Sequence, residues 1–121
     1  MGAIRIVVDD VDASVVAFAA AGYEVAQRWG PPFAVLAKDD APDLWLSGPE
    51  TSAARASAAL SGEDARCAAV RAVLEVDDLA ATVEAMAVAG WEPAGESVSG
   101  PGGGQRLVRR GPVFVEVFAA G

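Results

Sequence analysis

The chain has 121 residues, 53% hydrophobic and 21% charged, which excludes an intrinsically disordered chain and fits one folded domain. Charged residues, Gly or Pro interrupt every apolar run well short of the roughly 20 residues that span a bilayer, and the start lacks a signal-peptide pattern, so a cytoplasmic protein with no membrane partner is expected. The formal charge of −8, from 17 acidic and 9 basic residues, argues against a nucleic-acid partner, which needs a concentrated positive footprint, and weakly favours a cationic ligand.

Residues 3–8 alternate and are rich in β-branched side chains, the period of a strand buried on one face. Asp9, Asp10 and Asp12 follow, where Asp10 or Asp12 is placed to accept free N–H groups at a helix start and to complement its dipole. Ala, Val and Phe18 at helical spacing predict a helix over 11–21, ending at Gly22, where a left-handed residue is expected. Strand-like runs come next at 23–29, 33–38 and 43–47. Residues 49–69 form an Ala/Ser-rich connection with Pro49 and Gly62, expected to cross the surface with one helical turn around 53–59. The order then returns: a strand over 70–76, Asp77 and Asp78, a helix over 79–89 carrying Met86, Gly90, and strands over 91–99, 105–110 and 113–118. Residues 99–104, Ser-Gly-Pro-Gly-Gly-Gly, read as a flexible hairpin, since the helix and Lys-Ser/Thr of a phosphate loop do not follow.

That return is a duplication. Residues 8–26 match 76–94 without a gap, and Val8, Asp9, Asp10, Ala13, Val15, Ala17, Ala19, Ala21, Gly22, Glu24 and Ala26 all recur identically. The chain divides into a first module at 1–48, a linker at 49–69 and a second module at 70–121, each module β-α-β-β-β.

Histidine is absent, which removes imidazole bases, Ser-His-Asp and Cys-His arrangements and His-ligated metals. The lone Cys67 excludes an intramolecular disulfide and a multi-cysteine zinc site. A carboxylate-only cation site needs a cluster, and the acidic residues come mostly as surface-type Asp pairs.

Two such modules, with Val8-Asp9-Asp10-Val11-Asp12-Ala13-Ser14 and Val76-Asp77-Asp78-Leu79-Ala80-Ala81-Thr82 at their first turns, Gly100-Pro101-Gly102-Gly103-Gly104-Gln105 and Val115-Glu116-Val117-Phe118, resemble the glyoxalase, bleomycin resistance and extradiol dioxygenase group, the vicinal oxygen chelate superfamily. The resemblance implies an α+β fold in which two tandem modules form a cup-shaped mixed sheet with helices on the convex face. It also implies four metal-ligand positions on the floor in the metal-dependent members. These fall on Ala3, Arg71, about Trp45 and Glu116, so only one carboxylate remains and no metal or other cofactor is expected.

Alternation puts Arg5, Arg71, Val73 and Glu75 on the face of Ala3, with Ile4, Ile6, Val8, Ala72, Leu74 and Val76 towards the helices. Glu116 shares its face with Phe114 and Phe118, and Arg71 is predicted to lie near Glu116, neutralising it where a metal would otherwise do so. Trp29, Phe33, Trp45 and Phe114 suit the stacking by which resistance proteins of this superfamily hold flat antibiotics. Trp91, in the place of Tyr23, is expected in the core. The favoured reading is a metal-independent binding protein for a planar or cationic organic ligand, acting by sequestration as a homodimer, with Arg5, Trp29, Phe33, Trp45, Arg71, Glu75, Phe114 and Glu116 as candidate ligand contacts. One alternative is a metal-free glyoxalase-like lyase or isomerase using Glu75 or Glu116 as base, with Arg5 or Arg71 holding an oxyanion. Another is a degenerate interaction module with a filled cup.

Overall fold

In the computed structural model, which describes residues 2–121, the duplicated sequence gives duplicated local structure. The first module holds β1 (Ala3–Val7), α1 (Val11–Ala19), β2 (Glu24–Trp29), β3 (Phe33–Ala37) and β4 (Asp43–Ser47). Two short helices, α2 (Ser52–Ala58) and α3 (Gly62–Ala68), follow. The second module holds β5 (Val70–Glu75), α4 (Leu79–Val88), β6 (Glu92–Gly100), β7 (Gly103–Arg110) and β8 (Val113–Ala120). Asp10 accepts from the Ala13 N–H at 3.0 Å and Asp78 from the Ala81 N–H at 3.0 Å, so each module starts its helix with the same cap. The Ser14 and Thr82 hydroxyls each donate to the carbonyl of the capping Asp at 2.8 Å. Past the helices, Gly22 and Gly90 sit at φ of 93° and 98°, a conformation that side-chain-bearing residues avoid.

The strands form one eight-stranded sheet in the order β2-β3-β4-β1-β5-β8-β7-β6. Each half is its module's own four strands, with β4 parallel to β1 and β8 parallel to β5. The halves join where β1 runs antiparallel to β5, inside one chain. This is the mixed, cup-shaped α+β sheet that the family resemblance implies. No helix among the described residues is long and apolar enough to cross a membrane.

Period-two alternation divides the side chains between two faces. On the convex face, Leu36, Leu44 and Leu46 pack with Val11 and the partly buried Ile4, Ile6, Phe18 and Tyr23 under α1. Val108 and Val117 pack with Val83 under α4, and the partly buried Met86 and Trp91 pack against that cluster, so Trp91 borders the core. Ala72 and Leu74 depart from the expected cover by a helix: both are exposed, because α1 and α4 sit over the outer halves and leave the middle of the sheet bare.

The linker also departs from a surface crossing with one helical turn. It forms both α2 and α3, and these lie on the concave face of the second module. There Ala56 and Ala68 are buried with Ala94, Leu107 and Phe114, backed by Leu60, Cys67 and Val98. Asp64 ties α3 to the sheet, accepting from the Arg109 guanidinium at 2.6 Å. Alanine is what allows the close approach, since a helix with one-carbon side chains lies almost directly on the strands. The linker therefore fills the second half of the cup and leaves the first half open.

Candidate ligand-binding site

The antiparallel register of β1 with β5 sets Arg5 directly opposite Arg71. Like charges facing each other across strands destabilise a sheet, and here both are buried. Glu116, on the neighbouring β8 and wholly buried, reconciles them. Its Oε1 accepts from Arg5 Nε at 3.1 Å and Arg71 Nε at 2.9 Å, and its Oε2 accepts from Arg5 Nη2 at 2.7 Å. The expected approach of Arg71 to Glu116 is present, but Arg5 holds the carboxylate by two bonds where Arg71 holds it by one. Arg5 Nη1 also donates to Ser47 Oγ at 3.0 Å.

The other nitrogens of Arg71 reach the linker. Nη1 donates to the Ala68 carbonyl at 2.8 Å, and Nη2 to the Ala53 carbonyl and Gln105 Oε1, both at 3.0 Å. One side chain thus fastens α2 and α3 to the cup floor. Burial pulls its guanidinium below the ordinary value; Glu116 opposes that shift and Arg5 adds to it. An arginine remains charged through such a shift.

Beside this network, in the open half of the cup, lies a cavity of about 690 Å³. Its floor shows Arg5, Ser47 and Gln105, and its wall is aromatic. Trp29 stacks on Phe33 with centroids 5.3 Å apart at 25°; Phe33 meets Trp45 edge to face at 6.4 Å; Trp45 meets Phe118 edge to face at 5.5 Å. The Arg5 guanidinium lies 5.0 Å from the Trp45 ring centre and 5.8 Å from that of Phe33, close enough for cation–π attraction. The linker contributes Glu50, Thr51, Ser52, Ala53 and Arg55, and residues 100–103 close the far side.

The candidate contacts chosen from sequence therefore separate. Arg5, Trp29, Phe33 and Trp45 line the cavity. Arg71 and Glu116 lie behind its floor, holding Arg5 rather than facing the space. Phe114 and Glu75 require correction. Phe114 is on the concave face as expected, but α2 and α3 cover that half, so its ring is core, with Arg109 4.6 Å from the ring centre. Glu75 ends β5 in an exposed position outside the cavity lining. Missing from the sequence reading were Ser47, Gln105, the linker contacts and the glycine hairpin. Phe118 was legible from its shared face with Glu116. The hairpin was not, because only tertiary folding brings it over the first module. Residues 99–104 form the hairpin expected from sequence, a tight one in which β6 runs to Gly100 and β7 starts at Gly103, so that the turn is Pro101-Gly102.

The residues at the four positions where the resemblance implies metal ligands do not fit a divalent ion. Both oxygens of Glu116 are engaged by guanidinium groups, whose charge repels a second cation, and Ala3 and Trp45 supply no donor. Among the described residues no three acidic or cysteine side chains converge elsewhere.

No family model matches the sequence, and no curated protein matches it. Solved structures do. NAD-dependent benzaldehyde dehydrogenase from Legionella pneumophila aligns over 100% of both chains with a TM-score of 0.71 at 10% identity. Methylmalonyl-CoA epimerase from Mycobacterium tuberculosis aligns over 98% of this chain and 86% of its own, with a TM-score of 0.63 at 16% identity. A variant of the Streptomyces coelicolor epimerase in complex with 2-nitronate-propionyl-CoA aligns over 98% and 94%, with a TM-score of 0.61 at 16% identity. At such identities the likeness is one of fold and carries no activity across. Paired β-α-β-β-β modules, the mirrored strand order and these structural relatives together show that the chain has the fold of the vicinal oxygen chelate superfamily, the glyoxalase and bleomycin resistance group.

Proposed function

We propose that the chain is a metal-independent small-molecule binding protein of the cytoplasm, similar in mode to the bleomycin resistance proteins. It takes a flat organic ligand between the aromatic walls of the open half-cup and holds it away from its target, as a homodimer. The observation that carries this reading is the continuous run Trp29–Phe33–Trp45–Phe118 beside Arg5, in a cavity whose floor has a guanidinium where a metal enzyme needs free ligands. Aromatic walls give a flat ligand large contact area without demanding exact geometry. The open cavity also weighs against an interaction module with a filled cup.

The metal-free lyase or isomerase reading is weaker. A general base must bring an oxygen within hydrogen-bond reach of the substrate proton. Glu116 is buried and fully engaged, and Glu75 lies outside the cavity. Dimerisation draws support from β2, an edge strand exposed along its whole length with Val25 uncovered.

Native mass spectrometry on protein purified without chelator, followed by titration with neutral naphthamide while tryptophan fluorescence is read, tests the proposal. Metal-free protein and saturable quenching are expected, with affinity reduced about tenfold in Trp29→Ala for loss of a stacking partner. Trp29 is 58% exposed, so that variant should keep its thermal midpoint. One tightly held divalent ion per chain would overturn the proposal.

A further inference from the structure

The cavity floor is a surface of donors. Arg5 uses three of its five N–H groups on Glu116 and Ser47, which leaves two. Gln105 spends its carbonyl oxygen on Arg71, and its amide nitrogen has no acceptor among the described residues. No fully buried side-chain nitrogen or oxygen among those residues lacks a partner, so this nitrogen just reaches the cavity surface, although Gln105 as a whole is 2% exposed. The Ser47 oxygen accepts from Arg5, and its hydroxyl hydrogen has no acceptor among the described residues. Each side-chain acceptor on the floor already takes a hydrogen bond from an arginine: both Glu116 oxygens, the Gln105 carbonyl and the Ser47 oxygen.

The floor also carries surplus charge. Two buried guanidinium groups face one buried carboxylate, leaving one positive charge at the base of an aromatic slot. Burial keeps that charge poorly screened, whereas the acidic surplus of the whole chain sits largely on exposed Asp and Glu, where salt screens it. The two carboxylates at the cavity, Asp43 and Glu50, are the more exposed groups, Asp43 half-buried and Glu50 exposed.

The geometry points to a planar aromatic acid as the ligand class, its carboxylate seated on the Arg5 and Gln105 donors and its ring plane against Trp45 and Phe33. This rests on the reading of the cavity as a ligand site. It reverses the preference for a cation suggested by net charge: an ammonium group would find donors and a guanidinium on the floor, with carboxylates only at Asp43 and Glu50 nearer the solvent. A carboxylate accepts from several donors at once, and its charge strengthens each bond.

Three probes that share one ring system and differ only in the end group decide it: naphthoate, naphthamide and naphthylmethylammonium, each titrated against the tryptophan fluorescence of the full chain. Naphthoate is expected to bind about tenfold more tightly than naphthamide, and the ammonium most weakly, because hydrogen bonds to a charged acceptor are roughly twice as strong. Gln105→Glu keeps an acceptor for Arg71 while cancelling the surplus charge and removing a donor, so the preference for naphthoate should vanish. Equal binding of all three probes, or tightest binding of the ammonium, overturns the acid assignment and leaves the cavity reading standing. Failure of all three to saturate overturns both. Should Gln105→Glu fail to fold, the ranking of the probes on the wild-type chain decides alone.

Discussion

Glu116 is the residue on which the floor depends, because it alone separates two guanidinium groups that strand register forces to face each other. Pairing charges inside a protein yields little net stability, since desolvation offsets the attraction, but removing one member of such a set is costly. Glu116→Gln keeps the shape and one acceptor while leaving both arginines without a countercharge. It is expected to cost about 3–5 kcal/mol in denaturant unfolding. A loss below about 1 kcal/mol would mean that water enters and screens the cluster. The proximity of Arg71 and Glu116 was legible, because alternation along two strands put both on the concave face. The closer partnership of Arg5 with Glu116 was not. It depends on β1 pairing with β5 inside one chain, a choice that neither strand's pattern records.

Among the elements, the helices of the two modules were legible nearly to the residue, because their signals are local: an Asp cap, apolar spacing and a terminal Gly. If the caps act alike in both modules, Asp10→Ala and Asp78→Ala should each lower stability by about 1 kcal/mol, read from denaturation midpoints. A much larger loss in one module would show that its cap carries a tertiary role absent from the other. The linker helices were not legible as a plug. Each is a seven-residue helix of about two turns without a broad apolar stripe, and its burial comes from the sheet it covers. Arg71 holds both helices through carbonyl oxygens, so Arg71→Leu should raise amide hydrogen exchange over residues 52–68 relative to the strands. Unchanged exchange there would assign the docking of the helices to Ala56, Ala68 and the Arg109–Asp64 pair instead. The glycine hairpin shows the same limit from another side. A Cβ on Gly103 would stand 2.2 Å from the Ala119 carbonyl oxygen, so glycine there answers to strand packing and not to a loop.

For the whole molecule, half of the cup is occupied by the chain's own linker and half is open, and the open half is lined by both modules and the linker. The sheet is complete within one chain, so association needs no exchange of strands. Its β2 edge is where a second copy has unpaired backbone groups and exposed apolar side chains to meet. Sedimentation is expected to show a species of twice the chain mass, and Val25→Lys, which places a charge on that edge, should shift it to the single chain. A single-chain mass at every concentration would remove dimerisation from the proposed function.

The sequence by itself determined the duplication, the succession of strands and helices and the face on which most strand residues lie. These follow from short-range chemistry, in caps, glycines and period-two alternation. Tertiary structure alone decided which half of the cup stays open, why Phe114 is core while Phe118 lines the cavity, and how Arg5, Arg71 and Glu116 share their charges. Those outcomes turn on contacts between segments far apart in the chain, where the same apolar or charged side chain serves equally as core, floor or wall until its neighbours arrive.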